Sequence, residues 1–374
     1  MIKRLYPGGK AKAFSITYDD GIAQDVRFVA LLNKYGMKGT FNLNSQLMEQ
    51  KFSWIHPNGM TVTRLGVEEV RGLYEGHEIA SHTLTHPDLR DKTDEQLLWE
   101  IGEDKRRLEA LFGREVAGFG VPFHYYDQRI ADCVRRCGFE YGHNSELTHG
   151  YNPWEEPYFW RCGIFHLEPD FDEYMEGFFR TREELALCQI VGHSYDLDAE
   201  NMWDKMERYL AAIAADPDVT CMTHLELVRY LKAMKQAVVS PDCIENRSGM
   251  TLWFEAEGQT VRLEPGQRCV IFNKLVRDKI PEVIRQAGAQ PLVMTMDRQA
   301  YTAALHQKLD EETAEFHDAR NGEELADVLE VLLALAADLG ISPKELTEIY
   351  EKKHSQRGGF QQRLLLVCRV DECL

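Results

Sequence analysis

The spacing of hydrophobic positions changes character along this chain. Ala13-Phe14-Ser15-Ile16-Thr17-Tyr18 alternates apolar and small polar residues, which predicts a strand delivering Asp19 and Asp20 to its C-terminal end. Over 24–35 the apolar residues Val26, Val29, Ala30 and Leu32 fall at helical spacing, and Gly36 stops the run. Residues 38–43 read as a second strand, 66–73 as a helix, and 78–81 as a third strand that ends at His82. A long amphipathic helix over 93–112 begins with the capping signature Thr93-Asp94-Glu95-Gln96 and closes at Gly113. Residues 116–121 form another strand, and 130–137, 187–191, 202–215 and 225–234 continue the alternation.

Alternating strands and helices predict an α/β fold with a parallel sheet, whose ligands sit at the carboxyl ends of the strands. Asp19, Asp20, His82 and His193 all fall at such ends. Ser240-Pro241-Asp242 breaks the pattern, and 250–255 with 259–263 make a small β-hairpin around Gly258. Beyond Asn273 the period is helical: 276–286, 297–319 and 323–339, then a further helix started by Ser342-Pro343. Only 364–367 looks strand-like there. Three segments follow: a barrel over 1–239, a hairpin appendage and linker over 240–270, and an all-α helical bundle over 271–374.

Length and composition narrow the function. At 374 residues with 44% hydrophobic and 10% aromatic content, the chain has material for two globular domains. The formal charge of −18 is acidic on both sides of residue 270, which argues against a duplex nucleic acid as partner. No apolar run reaches the length of a membrane span, and no secretory signal is legible after Met1-Ile2-Lys3-Arg4. Nine cysteines without a CxxC pair fit free thiols in a reducing, cytoplasmic setting.

Two stretches carry chemistry in the barrel. Asp19 and Asp20 are adjacent carboxylates, and His82 and His86 are imidazoles four residues apart. They offer two nitrogen ligands and one oxygen ligand for a divalent metal, with one carboxylate left over as a base. Thr17-Tyr18-Asp19-Asp20-Gly21 and Ser81-His82-Thr83-Leu84-Thr85-His86 resemble the first two motifs of the polysaccharide deacetylase (NodB-homology, carbohydrate esterase) family, over residues 1–239. Gly120-Val121-Pro122-Phe123 resembles the third motif, and Leu187-Cys188-Gln189-Ile190-Val191-Gly192-His193 the fifth. The resemblance implies a distorted (β/α) barrel in which Asp20, His82 and His86 bind Zn²⁺ or another divalent transition metal. It makes Asp19 the general base, His193 the general acid, and the backbone N–H of Phe123 an oxyanion donor. Gly120 stands where the family has an arginine that pairs with the base. The fourth motif is not legible between Leu147 and Gly163, and Asp196 and Asp198 are the nearby acids available to support His193.

The helical segment has its own acidic pattern. Glu312 and Glu315 on one helix, and Glu324 and Asp327 on the next, are i, i+3 pairs that share a face. A turn at Asn321-Gly322 folds the pairs together, Glu315 toward Asp327 and Glu312 toward Glu330. An all-oxygen cluster suits Mg²⁺ or Mn²⁺. The ExxE…ExxD spacing and Asn273-Lys274-Leu275-Val276-Arg277-Asp278-Lys279-Ile280-Pro281 resemble the MazG-like all-α NTP pyrophosphohydrolase superfamily over residues 271–374. That resemblance implies a nucleoside triphosphate as partner, with Lys274, Arg277, Lys353 and Arg357 on its phosphates, and a homo-oligomer. In the competing reading these acids are the solvated face of an amphipathic hairpin.

The chain thus reads as a hydrolase of non-peptide C–N bonds, acting on an N-acylated sugar or related small molecule, fused to an NTP pyrophosphohydrolase. The alternative has the barrel act on another linear or cyclic amide, with the helical domain a non-catalytic oligomerisation or nucleotide-sensing module.

Overall fold

Lys12–Asp19 (β1) turns Phe14, Ile16 and Tyr18 toward one apolar core and Ala13 toward another, with Ser15, Thr17 and Asp19 on the same face as Ala13. This two-sided burial is what a parallel strand covered on both faces requires. The computed structural model describes residues 2–153 and 156–369, so the extreme ends of the first and last expected segments lie outside the described residues. Two compact units divide the chain, Met1–Ile271 and Phe272–Leu374.

In the first unit, Thr40–Leu43 (β2), Glu78–Ser81 (β3), Gly118–Gly120 (β4), Tyr141–Leu147 (β5), Trp160–Cys162 (β6), Ile164–Phe165 (β7), Ala186–Gly192 (β8) and Val219–Cys221 (β9) join β1 in one parallel sheet. Its order is β7-β8-β1-β2-β3-β4-β5-β6, while β9 pairs with Lys12–Phe14, the half of β1 that β2 leaves free. The terminal strands β6 and β7 are neighbours in sequence, so the sheet comes round as a nearly closed parallel barrel. Trp160 Nε1 donates to Gln189 Oε1 at 2.8 Å across that seam.

The outer face of the sheet packs on helices Asp25–Lys34, Asp94–Phe112, Gln128–Arg136, Phe171–Arg180 and Trp203–Ala215. Asp94–Phe112 follows its capping signature: Thr93 Oγ1 accepts from the Gln96 N–H, and Gly113 ends the helix in the left-handed conformation. The expected helix over 66–73 is only Val67–Val70, because Arg71 turns extended and Gly72 takes a positive φ. The strands β5, β6 and β7, the helix Phe171–Arg180 and a hairpin of Ser53–Ile55 with Thr61–Thr63 are additions to the sequence reading.

The inner face is partly polar. Glu78 is buried there and accepts from Thr40 Oγ1 at 2.9 Å, Tyr141 OH at 2.8 Å and the Leu225 N–H at 2.9 Å. The last of these opens the helix His224–Met234, so the carboxylate sits where a helix N-terminus favours negative charge. A second core gathers this helix, Tyr6, Leu187 and the hairpin Leu252–Ala256 with Gln259–Leu263. The hairpin takes in the N-terminal strand Ile2–Leu5, antiparallel to Leu252–Ala256.

The second unit is helical: Ile280–Gln286, Arg298–Ala319, Gly322–Asp338 and Pro343–Arg357. Asp297, Asn321 and Ser342 each accept from a first-turn N–H, which fixes where three of these helices begin. The strand-like run 364–367 is not a strand. Its residues are 83–85% exposed, and no strand lies among the described residues of this unit for it to pair with. Among the described residues no helix is long and apolar enough to cross a membrane, and the cysteines are free thiols.

Glu78→Ala strands two buried donors and one part-buried donor around one cavity. Its cost should be on the order of 3 kcal/mol, seen as a lower denaturation midpoint for the first unit. A loss below about 0.5 kcal/mol would mean that water replaces the carboxylate without penalty.

Candidate active site

The carboxyl ends of β1, β3 and β8 bring the first set of candidate residues together. Asp19 ends β1, Asp20 follows it with φ 87°, and His82 follows β3. Thr83, His86 and Phe123 also have positive φ (68°, 54° and 58°). Non-glycine residues in this region store strain, and here four of them fall in the motifs picked out from the sequence. Asp20 Oδ1 lies 3.6 Å from His86 Nε2 and 4.0 Å from His82 Nε2, and one ligand atom from each of the three residues lies within 4.8 Å of the others. Asp19 Oδ2 is 4.0 Å from His82 Nε2.

The donor set fits a divalent transition metal. His82 Nδ1 donates to the Gly120 carbonyl at 2.9 Å, which places the proton on Nδ1 and turns the Nε2 lone pair toward Asp20. Burial pushes the pKa of His82 well below its ordinary value, and burial also lowers His86, so both imidazoles are in the neutral, ligating form. Burial opposes ionisation of Asp20, but the Arg64 guanidinium, with the His193 cation, overrides it and holds the carboxyl well below the usual carboxylate range. Two neutral nitrogens and one carboxylate oxygen are a zinc-type set with room for further ligands.

Asp19 differs from its neighbour. Burial raises it to about 7, against the pull of His193 and of the hydrogen bond from Asn42. A carboxylate tuned there can accept a proton at neutral pH. Burial lowers His193, but the hydrogen bond to Asp196 and the charges of Asp20 and Asp19 raise it to about 9. His193 Nδ1 donates to Asp196 Oδ2 at 3.0 Å, so of the two acids available to support this histidine, Asp196 makes the contact and Asp198 instead accepts from Trp203 Nε1.

Several supporting residues were not legible in the sequence. Arg64 Nη2 donates to Asp20 Oδ1 at 2.8 Å, and Nη1 donates to the Asp20 carbonyl and to Asn44 Oδ1. Asn44 Nδ2 in turn donates to the carbonyls of His82 and Thr83. Asp104 accepts from Ser45 and from Ser81 Oγ, the residue before His82. Asn42 Nδ2 donates to Asp19 Oδ1 at 2.5 Å and to His143 Nε2 at 3.0 Å. A Cβ added at Gly120 would lie 2.7 Å from each of those two nitrogens, so the space beside this glycine is taken by Asn42 and His143. Aromatic rings edge the site: Phe123, 55% exposed, packs edge-on to His86, and Tyr195 stacks on His193 and meets Trp54 edge-on.

In the second unit Glu312, Glu324 and Asp327 offer carboxylate oxygens within 4.8 Å of one another. Glu315 is not in that trio but acts on Glu324, whose carboxyl is raised by partial burial and then by the charges of Glu315, Asp327 and Glu312. Lys274 pairs with Glu311 at 3.3 Å, Arg277 pairs with Asp327, and Lys308 bridges Glu311 and Glu312. Lys353, Arg357 and Glu330 are exposed.

A family model described as polysaccharide deacetylase matches residues 7–142, a span that holds Asp19, Asp20, His82, His86 and Phe123 and stops short of His193. Residues 7–142 are therefore similar to the polysaccharide deacetylase family. The chain is 24% identical to YxkH of Bacillus subtilis (strain 168) over 137 residues, covering 36% of this chain and 45% of that protein. It is 32% identical to the chitooligosaccharide deacetylase of Azorhizobium caulinodans over 65 residues, 17% of this chain and 31% of that protein. The chain therefore spans less than half the length of these curated relatives. A solved Mycobacterium smegmatis structure bearing the polysaccharide deacetylase name aligns with 62% of this chain and 94% of its own, at 15% identity and TM-score 0.47.

In the metal-free deacetylase-like unit, the His193 ring should titrate near pH 9 when followed by NMR, because Asp196 and the two aspartates favour its cation. Asp196→Asn should move that titration downward. An unchanged midpoint in the variant would remove Asp196 from the role.

Proposed function

We propose that the first unit is a metal-dependent hydrolase that removes an acetyl group from the nitrogen of a sugar or related small molecule. The observation that carries this reading is the convergence of Asp20, His82 and His86 with Asp19 beside them. Those three residues would hold Zn²⁺ or another divalent transition metal, which when bound supplies Lewis-acid polarisation and a lowered water pKa. Asp19 takes a proton from the attacking water, near its pKa of about 7. The Phe123 backbone N–H donates to the oxyanion that develops on the acetyl carbonyl. His193, cationic at neutral pH, donates its proton to the leaving nitrogen as the C–N bond breaks, giving acetate and a free amine. The chitooligosaccharide deacetylase among the relatives supports an N-acetylated oligosaccharide as substrate, and the Phe123, Trp54 and Tyr195 rings suit the apolar face of a sugar. A linear or cyclic amide of another kind is the runner-up substrate.

For the second unit the reading is an NTP pyrophosphohydrolase of the MazG-like kind. Glu312, Glu315, Glu324 and Asp327 would hold Mg²⁺ or Mn²⁺, and Lys274, Arg277, Lys353 and Arg357 would contact the triphosphate. The tight carboxylate trio supports this. One observation favours the second reading, a non-catalytic oligomerisation or nucleotide-sensing module: Arg277 is already paired with Asp327. A homo-oligomer would cover Leu325, Leu329 and Leu332, which are 43–54% exposed. A cytoplasmic setting is part of this proposal, supported by the free thiols of the described cysteines.

Asp19→Asn should reduce acetate release from a chitooligosaccharide by about 10²–10⁴-fold. An unchanged rate would take the base assignment away from Asp19. The full chain with Mg²⁺ should release pyrophosphate from a nucleoside triphosphate, and Glu312→Gln should stop it. Absence of release by the unmutated chain against all common NTPs would leave the module reading in place.

A further inference from the structure

Asn42 lies beside Asp19 in the register of β1 and β2, so both side chains stand on the inner face of the barrel. Its amide nitrogen carries two hydrogens, and both are used: one toward Asp19 Oδ1 at 2.5 Å, the other toward His143 Nε2 at 3.0 Å. The second contact requires His143 Nε2 to be an acceptor. Its proton must then sit on Nδ1, which faces the Asn144 carbonyl at 3.3 Å. Burial lowers His143 to about 4, which favours the neutral ring at neutral pH.

The room for this arrangement comes from β4. Gly120 is the register partner of His143, and a Cβ there would press within 2.7 Å of Asn42 Nδ2 and His143 Nε2. Among the described residues, Asn42 Oδ1 is buried without a hydrogen-bond partner. Leaving a buried carbonyl unpaired is destabilising, and rotating the amide would set that oxygen against the Asp19 carboxylate. The amide orientation therefore serves Asp19 rather than the stability of the barrel.

We propose that Asn42, oriented by His143 and admitted by Gly120, is the residue that positions Asp19 for proton transfer. The proposal rests on the deacetylase reading of the first unit. Asn42 and His143 are positioning residues: they act through Asp19. A neutral amide steers the carboxylate without the counter-charge that an arginine would bring.

The test uses the full chain loaded with Zn²⁺, a chitooligosaccharide as probe, and crystal structures of the variants. Asn42→Ala and His143→Leu should each displace the Asp19 carboxylate and lower kcat by about 10²-fold, with KM little changed. The double variant should be no slower than the worse single one, since both act on one group. His143→Gln, which keeps an acceptor near the Nε2 position, should recover most of the loss. An Asp19 carboxylate that stays in place in both single variants would overturn the proposal, as would losses that multiply in the double variant. If the unmutated chain releases no acetate, the deacetylase reading fails by itself, and the carboxylate position in the variant structures still decides whether Asn42 and His143 set it.

Discussion

Burying a carboxylate costs several kcal/mol unless a counter-charge is buried with it, and in this chain Arg64 goes in with Asp20. The guanidinium is 4% exposed and its partner 8%. Arg64 does more than neutralise. By donating to the Asp20 carbonyl and to Asn44, which holds the carbonyls of His82 and Thr83, it ties the end of β1 to the loop after β3. The two halves of the candidate metal site are separated by about sixty residues of chain, and this one side chain fixes their spacing. Removing it would leave Asp20 as an uncompensated buried charge and take from Asn44 Oδ1 its guanidinium donor.

The same economy runs through the inner face of the barrel. Glu78, Asp19, Asn42 and His143 are each held there by a polar group from another strand, so orientation and protonation are set together. Gly120 illustrates this: its carbonyl fixes the His82 tautomer, while its missing side chain leaves space for the pair that holds Asp19. Asp19 and His193 are both raised above their ordinary values, Asp19 to about 7, where it can take up a proton near neutral pH, and His193 to about 9, where it keeps one. Two titratable groups separated in this way suit an acid and base division of labour.

How far this was legible in the sequence depends on range. Alternation and capping located β1, β3, β8 and the long helix Asp94–Phe112 to within about two residues, because those signals are local. Tyr141-Gly142-His143-Asn144-Ser145 carries no element in the sequence reading and is strand, since β4 supplies the pairing and Asn42 satisfies His143. Arg64 carries no local signal, being 44 residues from the aspartate it pairs with. Asn42 was detectable in principle: Thr40 and Asn42 alternate with Phe41 and Leu43 in a strand buried on both faces, where unpaired polar residues are costly. Conversely, 364–367 has strand composition and no strand, because no pairing strand lies among the described residues of its helical unit.

The account depends on Asp20, His82 and His86 forming one metal centre in the first unit. The most direct measurement is elemental analysis of the purified full chain after equilibration with Zn²⁺ and removal of excess, beside a His82→Ala/His86→Ala variant. A stoichiometric transition metal in the unmutated chain, absent from the variant while its fold is retained, is the predicted result. Equal metal content in the two proteins would contradict the account.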